Sequence, residues 1–85
     1  MLNVSVVSAE QQIWSGEAEM VVARTTEGEI GILTGHTPLL AVLAAGEVRV
    51  TQPGGRKIIA NAEDGYISVQ DDTVTVVAGA AELVS

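Results

Sequence analysis

Apolar and polar residues alternate in short stretches along this chain. Leu2, Val4 and Val6 alternate with Asn3 and Ser5, and Val48 and Val50 with Glu47, Arg49 and Thr51. Ile67 and Val69 alternate with Tyr66, Ser68 and Gln70, and Val74 and Val76 with Thr73 and Thr75. A period of two puts one set of side chains on each face of a strand. Turn formers bound these runs: Ser15-Gly16, Glu27-Gly28, Gly35, Gly46, Pro53-Gly54-Gly55, Asp64-Gly65 and Asp71-Asp72. Short strands punctuated at roughly 8–12-residue intervals predict an all-β sandwich or barrel. Pro53-Gly54-Gly55 is the clearest hairpin loop.

Two runs break the alternation. Met20-Val21-Val22-Ala23 is continuously apolar, which predicts a strand covered on both faces. Leu39 to Ala45 follows Pro38 and contains good helix formers. Leu39, Val42 and Leu43 are nonetheless too few to sustain an amphipathic helix, so a strand or a short distorted turn is expected.

Composition narrows the picture. The 85 residues suffice for one domain. Apolar residues make up 47% but include no Phe, one Trp and one Tyr, so the core is expected to be Val, Ile, Leu and Ala between thin layers. The absence of cysteine excludes disulfides and thiolate metal sites. The start, Met1 to Ser5, has neither the basic nor the long apolar region of a secretory signal, and no run is long enough for a membrane-spanning helix. A net charge of −7 with only four basic residues argues against nucleic acid and against direct insertion into or adsorption on anionic lipid. The acidic surface suits a basic or neutral protein partner, or simply keeps an apolar domain soluble.

Candidate chemistry is sparse. His36 is the only histidine. Three roles are open to it: a general base, a ring hydrogen-bonded within the Gly35–Pro38 bend, or a contact in a protein interface. Glu63-Asp64 and Asp71-Asp72 lack calcium-loop spacing and read as solvated turns. Gly54-Gly55 precedes Arg56-Lys57, but the order and spacing of a phosphate loop are missing. Trp14 is read as core or sheet-edge packing, with an interface anchor as the alternative.

The segment Glu27–Leu40, EGEIGILTGHTPLL, resembles the signature of the epsilon subunit of F-type ATP synthases. Gly28-Glu29-Ile30-Gly31-Ile32 and Gly35-His36-Thr37-Pro38-Leu39-Leu40 match it residue by residue, with Thr34 where that family usually has proline. The resemblance extends back through Val6–Gln12 and Ser15-Gly16 and, more loosely, forward through Asp64-Gly65-Tyr66-Ile67.

The resemblance implies a flattened antiparallel β-sandwich of about ten short strands over residues 1–85. It implies the family's N-terminal domain without the helical hairpin that follows it in most members, hence no inhibitory hairpin and no tight ATP binding. It implies a non-catalytic subunit without cofactor or metal. That subunit would link gamma to the membrane c-ring in the central stalk, on the cytoplasmic side of a bacterial membrane, and couple proton flow to ATP synthesis. By the same resemblance Gly28, Glu29 and Ile30 would face the polar loops of the c-ring. Ser8, His36, Thr37, Pro38 and Leu39 would lie toward gamma. The competing reading is a lipoyl- or biotinyl-type carrier modified at Lys57, the only lysine, although its Gly-Gly-Arg-Lys context lacks the usual neighbours of such a lysine.

Overall fold

The computed structural model describes residues 1–9 and 11–84. Seven strands follow in order: β1 (Leu2–Ser8), β2 (Gln12–Ala18), β3 (Met20–Thr25), β4 (Gly28–Leu33), β5 (Leu39–Thr51), β6 (Lys57–Gln70) and β7 (Thr73–Leu83). They form one continuous sheet in the order β2-β1-β7-β6-β5-β3-β4. Every neighbouring pair is antiparallel except β1 and β7, which run parallel from Asn3↔Thr73 to Ser8↔Ala78. The sandwich is therefore mixed at one place: nearly the whole chain lies between β1 and β7, length enough to return to the same end.

Seven strands replace the expected ten because three of them run through both layers. Strand β5 pairs with β6 from Leu39↔Val69 to Val42↔Tyr66, and again from Gly46↔Ala62 to Thr51↔Lys57. Between these stretches the chain kinks without ending. Asp64 takes a left-handed φ of 58° inside β6. A Cβ on Gly65 would run into the backbone of Val77 and Ala78 in the adjoining strand, so only glycine fits at this crossing. Gly46 and Asp64-Gly65 thus mark bends within strands, where sequence reading puts strand ends. Ser15-Gly16 likewise lies within β2, where Gly16 leaves room for the Trp14 ring, 2.9 Å from the position a Cβ would occupy.

The first layer comprises β2, β1, the first half of β7, the second half of β6 and the start of β5. The second comprises the remaining halves with β3 and β4. Their inner faces meet in one cluster. Val4, Val74 and Val69 form one cross-strand row and Val6, Val76 and Ile67 the next. Val21 is flanked by Val50 and Ile32 in the opposite layer. The largest fully buried side chains are Leu2, Ile32, Ile67 and a set of valines, as the composition predicts. Burying each contributes roughly 1.5–3 kcal/mol.

Strand β3 differs from expectation. Val21, Ala23 and Thr25 are buried, but Met20 and Val22 are only half-buried. Its second face is covered in part by its neighbours, the Met20 methyl lying 3.3 Å from the Cβ position of Gly31, rather than by another layer. Leu39 to Ala45 is strand, and Pro53-Gly54-Gly55 lies in the β5–β6 hairpin, both as expected.

Candidate functional site

The connections sort into two ends. At the crossover end the chain passes between layers twice, from Ala18 to Met20 and from Leu33 to Leu39. The Asp71-Asp72 turn and the Pro53–Gly55 loop lie at the same end, since Asn3 donates to the Asp72 carbonyl (2.8 Å) and Glu19 to that of Thr51 (2.7 Å). At the corner end lie the end of β1 at Ser8, the Thr26-Glu27 turn and the bends of β5 and β6, with Thr26 donating to the Val42 carbonyl at 3.0 Å.

His36 sits at the crossover end, half-buried, in a bend built by Gly35 and Pro38. Gly35 has φ 86°, a value that side chains rarely adopt. His36 N donates to the Leu33 carbonyl at 3.0 Å, and Gly35 N donates to Asp72 Oδ1 at 2.7 Å. The imidazole Nδ1 lies 2.7 Å from the Thr37 carbonyl. A carbonyl only accepts, so Nδ1 carries a proton, and in the neutral ring Nε2 is the acceptor. The hydrogen-bonded bend among the readings open to His36 is present. Asp71-Asp72 is more than a solvated turn: its φ values of 50° and 58° are those a two-residue type I′ hairpin demands, and Asp72 is half-buried against the bend.

Gly28, Glu29 and Ile30 begin β4 at the corner end. The hairpin before them is held by buried Thr25, whose hydroxyl donates to the Gly28 carbonyl (2.7 Å) and accepts from Glu27 N (3.2 Å). Glu29 is exposed and lies opposite exposed Arg24, while Ile30 is half-buried against the core. Among the described residues six acids gather here, Glu27, Glu29, Glu47, Glu63, Asp64 and Glu82, against Arg24 and Arg49. Arg49 pairs with Glu47 at 3.2 Å, but both are about half exposed, so the pair adds little stability. Three shallow depressions of about 320, 390 and 260 Å³ share Ala80, Ala81 and Gly46 in turn. They form a belt from Ser8 to Glu29.

Ser8 is thus separated from the other residues expected beside it. It ends β1 at the corner, hydrogen-bonded to Gln11, five positions and about 17 Å along the strand from Asn3 at the crossover end. The outer face of the first layer spans that gap. Across it Val42 pairs with Tyr66, Tyr66 with Val77, and Val77 with Val7, with Leu40 alongside. Leu40, Val42 and Tyr66 are 72%, 58% and 44% exposed. Sequence reading missed Val42 and Tyr66 in this role. Tyr66 was legible as an outward residue, but its neighbours lie on three other strands.

No group of three or more potential metal-ligating side chains converges among the described residues, and no helix is long and apolar enough to cross a membrane. Trp14 packs against the edge of the core. Lys57 begins β6 opposite Thr51 and not at the tip of the preceding loop.

What the fold and its surface define is a small two-layer β module with one exposed apolar sheet face and loops at its two ends. The chain belongs to the family of the ATP synthase Delta/Epsilon chain β-sandwich domain, whose model matches residues 1–84. It is 49% identical over 82 residues to the ATP synthase epsilon chain of Frankia casuarinae, covering 96% of each. It is 54% identical over 82 residues to that of Micrococcus luteus, covering 96% of this chain and 90% of the relative. The epsilon chain of Streptomyces avermitilis is 46% identical, and the match spans 66% of its length. Among solved structures, a chain of the Euglena gracilis mitochondrial ATP synthase (OSCP, catalytic head and c-ring) superposes with a TM-score of 0.89 at 27% identity. The match covers 96% of this chain and 52% of that one, so the chain spans about half its length. The central stalk and c-ring structure from Tetrahymena thermophila shares the fold, with a TM-score of 0.75 at 17% identity, covering 95% of this chain and 65% of that one. Epsilon chains are structural and regulatory subunits of ATP synthase, not catalytic ones.

Proposed function

We propose that this domain is a rotor subunit in the central stalk of a proton-translocating ATP synthase, held between the gamma subunit and the polar loops of the c-ring on the cytoplasmic side of a bacterial membrane. The observation that carries the reading is the exposed apolar row of Leu40, Val42 and Tyr66, continued by Val77 and Val7, on an otherwise acidic domain. A contiguous exposed apolar patch marks a protein interface. This one runs between Ser8 and the His36 bend, the two regions expected toward gamma. The Glu29 hairpin projects from the acidic corner end, where a polar or basic loop would be favoured electrostatically. A two-layer sandwich with its loops at the ends suits a part that transmits torque by docking rather than by chemistry.

Mixing the chain with purified gamma subunit tests the reading. Co-elution at micromolar concentration is the expected result, and no binding at tens of micromolar in low salt removes it. Cysteines test the orientation in an assembled enzyme. One at His36 is expected to cross-link to gamma, and one at Glu29 to the c-ring. The reverse pattern would turn the domain around.

A further inference from the structure

The His36 bend has little of its own to hold it. Thr34, Gly35, Thr37 and Pro38 are exposed. The side-chain hydrogen bonds at Thr25, Gln12 and Arg49 join positions at most three apart. Asp72 instead reaches a partner 37 positions away: its Oδ1 accepts from Gly35 N at 2.7 Å. The same residue's carbonyl accepts from Asn3 N at 2.8 Å, so Asp72 ties the bend to the start of β1. Asp72 holds φ 58° and Asp71 φ 50° in the β6–β7 turn, where glycine or asparagine would sit with less strain. The turn itself has no need of a carboxylate. The bend needs a side-chain oxygen there, because Gly35 N takes its acceptor from outside its own turn.

We infer that Asp72 is the positioning residue of this docking surface: its carboxylate sets the angle of the Gly35–Pro38 bend, and so the direction in which His36 Nε2 is presented to a protein partner. This rests on the reading of the bend as part of the gamma-facing surface. The link is mechanical. Gly35 N is fixed by Asp72 and His36 N by Leu33, and the ring is then locked by Thr37. Removing the first bond frees the bend to rotate about Gly35 while the strands on either side stay paired.

Two variants separate this from a general structural role. Asp72→Gly deletes the acceptor but keeps a residue at ease with positive φ. Asp72→Asn keeps an oxygen acceptor and tolerates the same φ. Both should fold, as checked by melting and by unchanged exchange of the β6 and β7 amides. In Asp72→Gly the Gly35 amide should exchange about tenfold faster, and gamma affinity should fall by about tenfold, the equivalent of one hydrogen bond. Asp72→Asn should recover most of both. Adding His36→Ala to Asp72→Gly should weaken binding little further, because the two act through one group. Unchanged Gly35 exchange in Asp72→Gly overturns the inference, as does unchanged affinity in Asp72→Gly when His36→Ala alone is weakened. If His36→Ala binds gamma fully, the docking reading itself falls and takes Asp72's role in docking with it. A loss in Asp72→Asn as large as in Asp72→Gly would assign the effect to charge and overturn the positioning role.

Discussion

The two ends of this sandwich are built on opposite plans. At the crossover end a loop with little burial is tied to another part of the chain by the Asp72 carboxylate, and four acids, Glu17, Glu19, Asp71 and Asp72, stand near Arg56 and Lys57. At the corner end rigidity is steric. Long strands bend through the Gly65 crossing, hairpins close on their own side chains, and among the described residues six acids crowd around two arginines. The first plan presents a single aimed imidazole, the second a diffuse negative field on a stiff frame. A specific, tightly held contact is served by the former. A contact that must slide past or be steered toward a polar ring is served by the latter.

The contrast breaks most visibly at the corner. Gly65→Val should cost at least about 3 kcal/mol, because the new side chain meets backbone that has no room to give. Urea denaturation measures it, and a midpoint near that of the parent would mean the corner is not sterically set. The same insertion at Gly54 meets no atom within 4 Å and should cost only the strain of that residue's φ of 91°.

Next in size are changes on the sheet face that joins the ends. Tyr66→Ala or Leu40→Ser should weaken gamma binding by about 1–2 kcal/mol, while fold stability shifts by less than about 1 kcal/mol. Titration calorimetry and thermal melting read the two separately. Equal loss in both would make the row structural, and no loss in affinity would leave the exposed face without a role. His36→Ala should act in the same range on gamma affinity, about 1–2 kcal/mol, with stability unchanged within about 0.5 kcal/mol, since the ring bonds only to its own neighbour.

The smallest effect on the fold belongs to Glu29. It is exposed and lies opposite Arg24, so Glu29→Ala should shift stability by less than about 0.5 kcal/mol. In an assembled enzyme it should still loosen the coupling of proton flow to ATP synthesis. A variant that melts far below the parent, or membranes in which proton-driven synthesis is undiminished, would sharpen the comparison in the other direction by leaving the corner without a contact role.

Much of this protein was legible from residue order alone. Alternation placed Leu2, Val4, Val6, Val48, Val50, Ile67, Val69, Val74 and Val76 on a buried face, and all of them are buried. A period of two is imposed by the strand itself and needs no knowledge of the partner strand. The Glu27–Leu40 segment carried the family, because glycine and proline at fixed offsets constrain the backbone locally. What the tertiary structure alone decided is non-local. Whether Gly46 and Asp64-Gly65 end strands or bend them depends on what crosses there, and Val77 lies twelve residues beyond Gly65 in a different strand. Whether Asp72 is solvated or holds the His36 bend depends on a partner 37 residues away. Whether Ser8 stands beside His36 or at the far end of the sheet depends on β1 pairing parallel with β7, a choice made by the packing of two apolar faces that no short window of sequence contains.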